Sequence, residues 1–335
     1  MDLIRSVSLA VVMAIFAEQI AADLNDRPVI GVLSQHDSEI DPHTMYIAAS
    51  YVKFVESAGA RVVPVMTNLT GDEYTTLFGK LNGLLLPGGG VSVTGTTSGY
   101  ARAAHVFFKL AVEAFDKGEV FAMWGTCLGV QALAVMGAKE DVLVRINGTE
   151  DVNLPLNFTV HAADSRLYGS MPPSLMEALS TKRLTYNHHQ FGATAHTFAT
   201  NANLAAMYNV LSTNTGSNGL EFVSTIEGKT LPFFGTQWHS EKNGFEWNTD
   251  EHISHDPDSV RVMHHIADVF VSAAQKSTHR FSTDSDLVSH LIYNFSPIYT
   301  GRHGSHFEQT YAWPITGDKI DIDKFVQNLN KIKYE

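Results

Sequence analysis

Cys127, the single cysteine of the 335-residue chain, lies in a sequence typical of an enzyme nucleophile. Gly125 and Gly129 stand two residues to either side of it, where an apolar run gives way to a helical pattern. This is the cysteine form of the nucleophile elbow, a sharp strand-to-helix turn that needs small neighbours and presents the thiol to substrate. The N-terminus of the following helix favours the thiolate, which is the nucleophilic form. We therefore predict that Cys127 attacks a substrate carbonyl; the alternative is a small cysteine buried in the core.

A cysteine nucleophile needs N–H donors for the oxyanion that develops on the substrate. The backbone N–H of Leu128 follows the nucleophile and is the first predicted donor. The second is predicted at Gly89 or Gly90, after the apolar run 83–87, because glycine leaves the backbone open to close approach. No Gly-Lys-Ser/Thr sequence follows these glycines, which argues against a phosphate-binding loop.

The thiol also needs a base, and a histidine with a carboxylate two residues later follows another apolar run. His239 and Glu241 lie in the segment 235–241, whose sequence is GTQWHSE. We predict that His239 accepts the thiol proton and later gives it to the leaving amine. Glu241 would orient the imidazole and stabilise its charged form. The alternative is a surface histidine beside a solvated carboxylate.

Apolar runs and helical patterns alternate along the part of the chain that leads up to the cysteine. They predict strands at 29–33, 61–65, 83–87 and 120–124, and helices at 45–58, 72–80, 101–117 and 128–136. Such alternation is typical of an α/β fold, here a three-layer sandwich around a mostly parallel sheet. Residues 142–234 contain shorter strand-like runs, and a helical pattern returns at 259–275.

The first residues are typical of a secretory signal peptide. Arg5 precedes an apolar run over residues 7–17, and the small residues Ala21 and Ala22 follow it. We predict a signal peptide over residues 1–22 and no membrane span, because a span needs about 20 apolar residues. Four Asn-X-Ser/Thr sequences are then candidates for glycosylation, at Asn68, Asn147, Asn157 and Asn294.

The charge of the chain excludes some partners and points to an acidic environment. The formal net charge is 23 − 35 = −12, which argues against a nucleic-acid partner. Protonation of all 16 histidines would bring it to −12 + 16 = +4, so the charge is unusually sensitive to acid. Anionic substrates would need local cations, for which Arg61, Arg102 and Lys242 are candidates. The histidine pairs at 188–189 and 264–265 lack the spacing of metal ligands, and we predict no metal site.

Three segments together resemble the class I glutamine amidotransferase-type hydrolases: the Pro-Gly-Gly at a strand end, the GTCLG elbow and the QWHSE segment. Further segments resemble the γ-glutamyl hydrolases in particular, at residues 46–53, 57–64, 155–159, 253–255 and 295–301. The resemblance covers about residues 27–311 and implies that these form the catalytic domain. Residues 312–335 lie outside it, and we predict a loosely attached C-terminal extension.

The resemblance implies hydrolysis of γ-glutamyl amide bonds in folylpoly-γ-glutamates and antifolate polyglutamates through a thioester. It implies a cysteine peptidase without metal or organic cofactor, a homodimer, and a location in the lysosome and the extracellular space. Cys127, His239 and Glu241 take the roles above, and His189 is assigned to substrate binding. Gln131 stands where a family member carries glutamate, which leaves substrate preference and pH dependence open.

Two other functions remain open from the sequence. One is a glutaminase module of an amidotransferase, which would hydrolyse free glutamine and pass ammonia to a synthetase. The other is an inactive secreted glycoprotein that binds folate polyglutamates.

Overall fold

The structure is a computed structural model that describes residues 24–37, 41–96, 98–315 and 319–331. The predicted signal peptide over residues 1–22 lies outside the described residues. Within them, the strands are β1 (Val29–Leu33), β2 (Thr44–Ala48), β3 (Arg61–Val65), β4 (Gly83–Leu86), β5 (Ala122–Thr126), β6 (Leu143–Arg145), β7 (Val152–Leu154), β8 (Asn157–Phe158), β9 (Thr185–Asn187), β10 (Phe191–Ala193), β11 (Tyr208–Thr215), β12 (Glu221–Gly228), β13 (Phe233–Thr236) and β14 (Thr310–Pro314).

The helices of the described residues are α1 (Ala49–Glu56), α2 (Gly71–Phe78), α3 (Gly99–Asp116), α4 (Leu128–Ala138), α5 (Pro173–Thr181), α6 (Ala195–Thr200), α7 (Ala202–Met207), α8 (Pro257–Ala274), α9 (Asp284–His290) and α10 (Ile322–Leu329). None of them is long and apolar enough to cross a membrane. The same part of the chain contains no group of three or more His, Cys, Asp or Glu side chains placed to hold a metal ion.

An eight-stranded sheet forms the centre of the molecule, in the order β3-β1-β4-β5-β13-β12-β11-β8. The first five strands are parallel, and the last three continue the sheet in antiparallel fashion. The predicted α/β fold with a mostly parallel sheet is therefore confirmed. The antiparallel strands lie in the region where the sequence contains short strand-like runs.

Helices cover both faces of this sheet, and each face has its own hydrophobic cluster. Ile30 and Val32 of β1 belong to the cluster that buries α1 and α8. Val29 and Leu33 of the same strand belong to the cluster that buries α2, α3 and α4. Because successive side chains of a strand point to opposite faces, this division places the sheet between two helical layers, as predicted.

Two segments differ from the sequence prediction, and they contact each other. The helix predicted over 45–58 begins only at Ala49, because residues 44–48 form β2 and pair antiparallel with β14. The predicted boundary at residue 311 lies inside β14. Farther along, Phe325 of α10 is buried and lies edge-on to Tyr46 of β2, with ring centroids 6.3 Å apart. The described part of the predicted extension thus packs against β2, and the expected loose attachment is wrong for residues 312–315 and 319–331.

Candidate active site

The turn between β5 and α4 has the geometry of a nucleophile elbow. Cys127 joins the two elements with φ 51° and ψ −106°, a backbone conformation that side-chain-bearing residues rarely adopt. A Cβ on Gly125 would lie 2.5 Å from the carbonyl carbon of Gly129, and a Cβ on Gly129 would lie 2.0 Å from Leu86 O. The turn therefore tolerates only glycine at these two positions, which explains the Gly-X-Cys-X-Gly pattern.

The neighbouring strand β13 brings the histidine to the cysteine. β13 runs parallel to β5 with Gly235 opposite Gly125, and the N–H of Cys127 donates to Thr236 O at 2.8 Å. His239 follows β13 by three residues, and its Nδ1 lies 2.7 Å from Oε1 of Glu241. The register of two parallel strands thus sets the elbow and the histidine at the same edge of the sheet.

Gly88 packs closely against both the His239 imidazole and the Cys127 side chain. A Cβ at this position would lie 2.8 Å from Cε1 of His239 and 3.1 Å from Cβ of Cys127. The Cys127 sulfur also interacts electrostatically with the His239 imidazole and raises its pKa. Cys127, His239 and Glu241 are therefore brought together in the order expected of a nucleophile, its base and the carboxylate that orients the base.

The electrostatics of this group favour a charged imidazole. Burial alone would lower the pKa of His239, but the Glu241 carboxylate and the Cys127 sulfur outweigh it and raise the pKa above its ordinary value. Both Cys127 and His239 are fully buried, so this attraction is not screened by water. The arrangement stabilises an imidazolium beside the sulfur, which is the form that a thiolate nucleophile requires.

The loop after β4 is held from both sides by polar side chains. Tyr51 Oη accepts a hydrogen bond from the N–H of Gly88 at 2.9 Å, and Gln35 Nε2 donates to Gly88 O. In a trans peptide the C=O and the following N–H point in opposite directions. The bond from Gln35 to Gly88 O therefore turns the N–H of Gly89 away from the Gln35 side chain. A Cβ on Gly89 would collide with the Gln35 amide, so this contact requires glycine.

A cavity of about 180 Å³ adjoins the first turn of α4, which follows Cys127. Its walls come from the loop after Gly90, from α4 and from the segment around β6 and β10, and the lining residues are Val91, Ser92, Val93, Thr94, Leu128, Gln131, Asp141, Leu143 and Phe191. Because Cys127 has no exposed surface, a substrate in this cavity reaches the sulfur only when neighbouring side chains move.

The structure places His189 and Gln131 in the protein interior. Both ring nitrogens of His189 have protein partners, Phe191 O at 3.0 Å and Asn187 Oδ1 at 3.2 Å, and burial lowers the pKa of His189 to about 3. Gln131 is also buried and donates to the same carbonyl of Phe191 at 2.8 Å. Its neutral amide thus ties α4 to β10, whereas His189 offers no solvent-facing surface to a substrate.

Of the three candidate cations, Lys242 lies at the site. Arg61 and Arg102 each donate to a backbone carbonyl, whereas Lys242 is fully buried and pairs with Glu251 at 3.1 Å. Burial raises the pKa of Glu251, but Lys242 and His306 outweigh it and lower the pKa to about 2. Glu251 therefore stays ionised in mildly acidic solution.

Sequence reasoning did not assign Gln35, Tyr51 or His188 to the site. The carbonyl oxygen of His188 lies 3.8 Å from Cys127 Sγ, within reach of its S–H. The sequence offered a usable signal for Gln35, because this residue closely follows β1 of the parallel sheet. His188 follows β9, which belongs to a separate two-stranded sheet. Polar residues just beyond the carboxyl ends of strands are the usual source of site residues in such folds.

The chain is similar to several known proteins. Residues 28–241 match the Peptidase C26 family. The chain is 42% identical over 289 residues to "Gamma-glutamyl hydrolase" of Rattus norvegicus, covering 86% of this chain and 90% of that protein. It is 42% identical over 294 residues to "Gamma-glutamyl hydrolase" of Homo sapiens, covering 87% of this chain and 91% of that protein. The solved structure of PurLQS from Thermotoga maritima is similar with a TM-score of 0.42 and 17% identity, covering 71% of this chain and 97% of that one.

The family match spans the elbow and the histidine, and the relatives align over most of both chains. The two other functions left open by the sequence gain no support from these comparisons. The chain therefore belongs to the γ-glutamyl hydrolase family within Peptidase C26, and it is a cysteine-dependent hydrolase of γ-glutamyl bonds.

Proposed function

We propose that this hydrolase cleaves folylpoly-γ-glutamates and antifolate polyglutamates, with Cys127 as nucleophile, His239 as general acid and base, and Glu241 as the carboxylate that orients His239. The observation that carries the proposal is the His239 imidazole, which lies 2.7 Å from Glu241 and packs, like Cys127, against Gly88. The substrate class comes from the family, whose chemistry requires attack on an unhindered side-chain carbonyl.

The first half of the reaction forms a thioester. The Cys127 thiolate attacks the γ-carbonyl carbon, so that a C–S bond forms and the carbonyl electrons move to oxygen. His239, charged through its pairing with Glu241, gives its Nε2 proton to the amide nitrogen as the C–N bond breaks. The carbonyl re-forms, the C-terminal glutamate or γ-glutamyl peptide leaves with a free amine, and the pteroyl-bearing part of the chain stays on the sulfur as a γ-glutamyl thioester.

Water completes the second half of the reaction. His239, now neutral, accepts a proton from water as the water oxygen attacks the thioester carbon. The C–S bond then breaks and the sulfur leaves as thiolate beside the recharged imidazole. The product is released as a γ-carboxylic acid, which loses its proton to solvent. Glu241 keeps Nδ1 of His239 protonated throughout, so that Nε2 is the atom that exchanges protons.

The oxyanion of both steps is proposed to bind the N–H groups of Leu128 and Gly89, with Gln35 as a positioning residue for Gly89. Gly90, the other predicted donor, is partly exposed one residue farther along the loop. The Gly89→Ala substitution forces the Gln35 amide aside, so we expect kcat to fall about 100-fold with a small change in KM. Steady-state kinetics check this.

The matched control for that substitution is Gly71→Ala, because a Cβ at position 71 meets nothing within 4 Å. Gln35→Ala, which leaves the glycine in place but removes the amide that orients the peptide, is expected to lower kcat as well. An unchanged kcat in both Gly89→Ala and Gln35→Ala would remove Gly89 from the oxyanion hole.

The substrate is tested by incubating the purified protein with pteroyl-pentaglutamate at about pH 5 and following the products by mass spectrometry. We expect shorter pteroyl-glutamates together with free glutamate or γ-glutamyl peptides, and their order of appearance distinguishes terminal from internal cleavage. Free glutamine is the parallel substrate. Ammonia release from glutamine without cleavage of the pentaglutamate, or tight binding without any product, would contradict the proposal.

We further propose that the protein enters the secretory pathway and acts in the lysosome and outside the cell as a glycosylated homodimer. The signal-peptide pattern supports this, and the side chains of Asn68, Asn147, Asn157 and Asn294 are all exposed. Asn294 is the weakest glycosylation candidate, because its side-chain nitrogen donates hydrogen bonds to Val288 O and Leu291 O. Glycosidase treatment of the secreted protein should increase its electrophoretic mobility, and light scattering should give twice the chain mass.

A further inference from the structure

A chain of hydrogen bonds connects the surface of the protein to the residue that contacts the nucleophile. The exposed ring of His252 lies 2.6 Å from Oδ2 of Asp151, through Nδ1. Oδ1 of Asp151 accepts from Tyr186 Oη at 3.1 Å, and Tyr186 Oη in turn lies 3.0 Å from Nδ1 of His188. Three side chains thus hold the imidazole of His188, and the catalytic steps above use none of them.

The chain of bonds determines which nitrogen of His188 carries a proton. Burial opposes the ionisation of Asp151, but hydrogen bonds from His252 and Tyr186 outweigh it and lower the pKa of Asp151. Asp151 is therefore a carboxylate and accepts the single proton of Tyr186. The Tyr186 oxygen must then accept from Nδ1–H of His188. His188 keeps its proton on Nδ1, and Nε2 is the nitrogen that gains or loses one.

His188 lies beside the reacting groups and retains some solvent exposure. Its carbonyl oxygen is 3.8 Å from Cys127 Sγ, and the Tyr186 ring lies about equally far from His188 and His239, with centroid distances of 6.1 and 6.2 Å. His188 is partly exposed, whereas Cys127, His239 and His189 are fully buried. A substrate that approaches the sulfur can therefore contact the His188 ring without entering the core.

In the absence of a bound anion, the surroundings of His188 disfavour protonation of its ring. Burial and the positive charges of Lys242 and His239 lower the pKa of His188 to about 4, although Glu251 and Asp151 act in the opposite direction. An additional carboxylate near the ring would raise the pKa. Every residue of a γ-linked glutamate chain carries such an α-carboxylate, because the γ-carboxyl group forms the peptide bond.

We propose that His188 is a substrate-contacting residue that binds an α-carboxylate of the polyglutamate chain through Nε2 as an imidazolium. The chain of Tyr186, Asp151 and His252 orients it. This inference rests on the proposed function and assigns the role to His188 in place of His189. Substrate binding then takes up a proton, so the affinity for polyglutamate falls as the pH rises from about 5 to about 7.

The test compares His188→Gln with the wild type on pteroyl-pentaglutamate. We expect KM at about pH 5 to rise about tenfold or more, as is typical when a hydrogen bond to a charged group is lost. The increase in KM between about pH 5 and pH 7 that is expected of the wild type should disappear in the variant, and kcat should change less than KM. His264→Gln, which removes an exposed histidine of α8, is the matched control.

A second variant and a direct measurement keep the test independent of turnover. Tyr186→Phe removes the oxygen that orients His188 and should raise KM by a smaller factor. Proton uptake on binding is measured by calorimetry of pteroyl-pentaglutamate binding in two buffers. The Cys127→Ala protein in which His188 is also replaced should take up about one proton fewer than Cys127→Ala alone. Equal KM, equal pH dependence and equal proton uptake would overturn the inference. Cleavage by the wild type establishes the proposed function separately, so the two can fail independently.

Discussion

Cys127→Ala is expected to abolish turnover, with kcat at least about 10⁴-fold below that of the wild type. The sulfur forms the covalent bond of the proposed thioester, and the chain contains no second cysteine to replace it. The substitution removes one buried atom and keeps the Cβ, so the elbow should survive and polyglutamate binding should persist. Mass-resolved product formation and calorimetric binding measure the two effects separately.

Cys127→Ser is the companion variant, because it keeps a polar atom in the same place but replaces the thiolate by a much weaker nucleophile. It too should be inactive while remaining folded. Iodoacetamide should inactivate the wild type as it labels Cys127, and pteroyl-pentaglutamate should slow both processes together. Substantial activity in either variant, or labelling that requires denaturation, would show that Cys127 is only a core residue.

His239→Ala is expected to lower kcat about 10³-fold, because general acid–base catalysis by a positioned side chain typically contributes 10²- to 10⁴-fold. Without this imidazole, the proposed mechanism has no side chain to protonate the leaving amine or to deprotonate the attacking water. Replacing the exposed His264 by alanine is the control for loss of a histidine in general. A loss below about tenfold would exclude His239 as the acid and base.

The pH profile distinguishes the acid–base role of His239 from a purely structural one. Glu241 raises the pKa of His239, so Glu241→Gln should lower that pKa. The imidazolium is then lost at a lower pH, and the basic limb of the kcat/KM profile should move towards acid. Denaturant unfolding of the same variant shows whether it is folded. A reduced rate with an unmoved basic limb would contradict charge pairing as the function of Glu241.

Local sequence was sufficient to predict the centre of the site. The elbow at Cys127 could be recognised because a strand, a tight turn and a helix follow one another within a few residues, and glycine is required where backbones touch. His239 and Glu241 could be paired for the same reason, since two residues along the chain bring their side chains within 2.7 Å. The alternating strands and helices of the first half likewise depend on short-range periodicity.

The tertiary structure decided what depends on contacts between distant segments. Residues 44–48 became a strand because β14 pairs with them, and α10 packs against Tyr46 although nothing near it in sequence predicts this. Gln35 orients the Gly88 peptide from 53 residues away. His188 and His189 are neighbours in sequence, yet one ring is partly exposed and the other is buried. Periodicity and spacing describe a segment's own geometry, whereas side-chain burial and long-range hydrogen bonds exist only once the sheet has assembled.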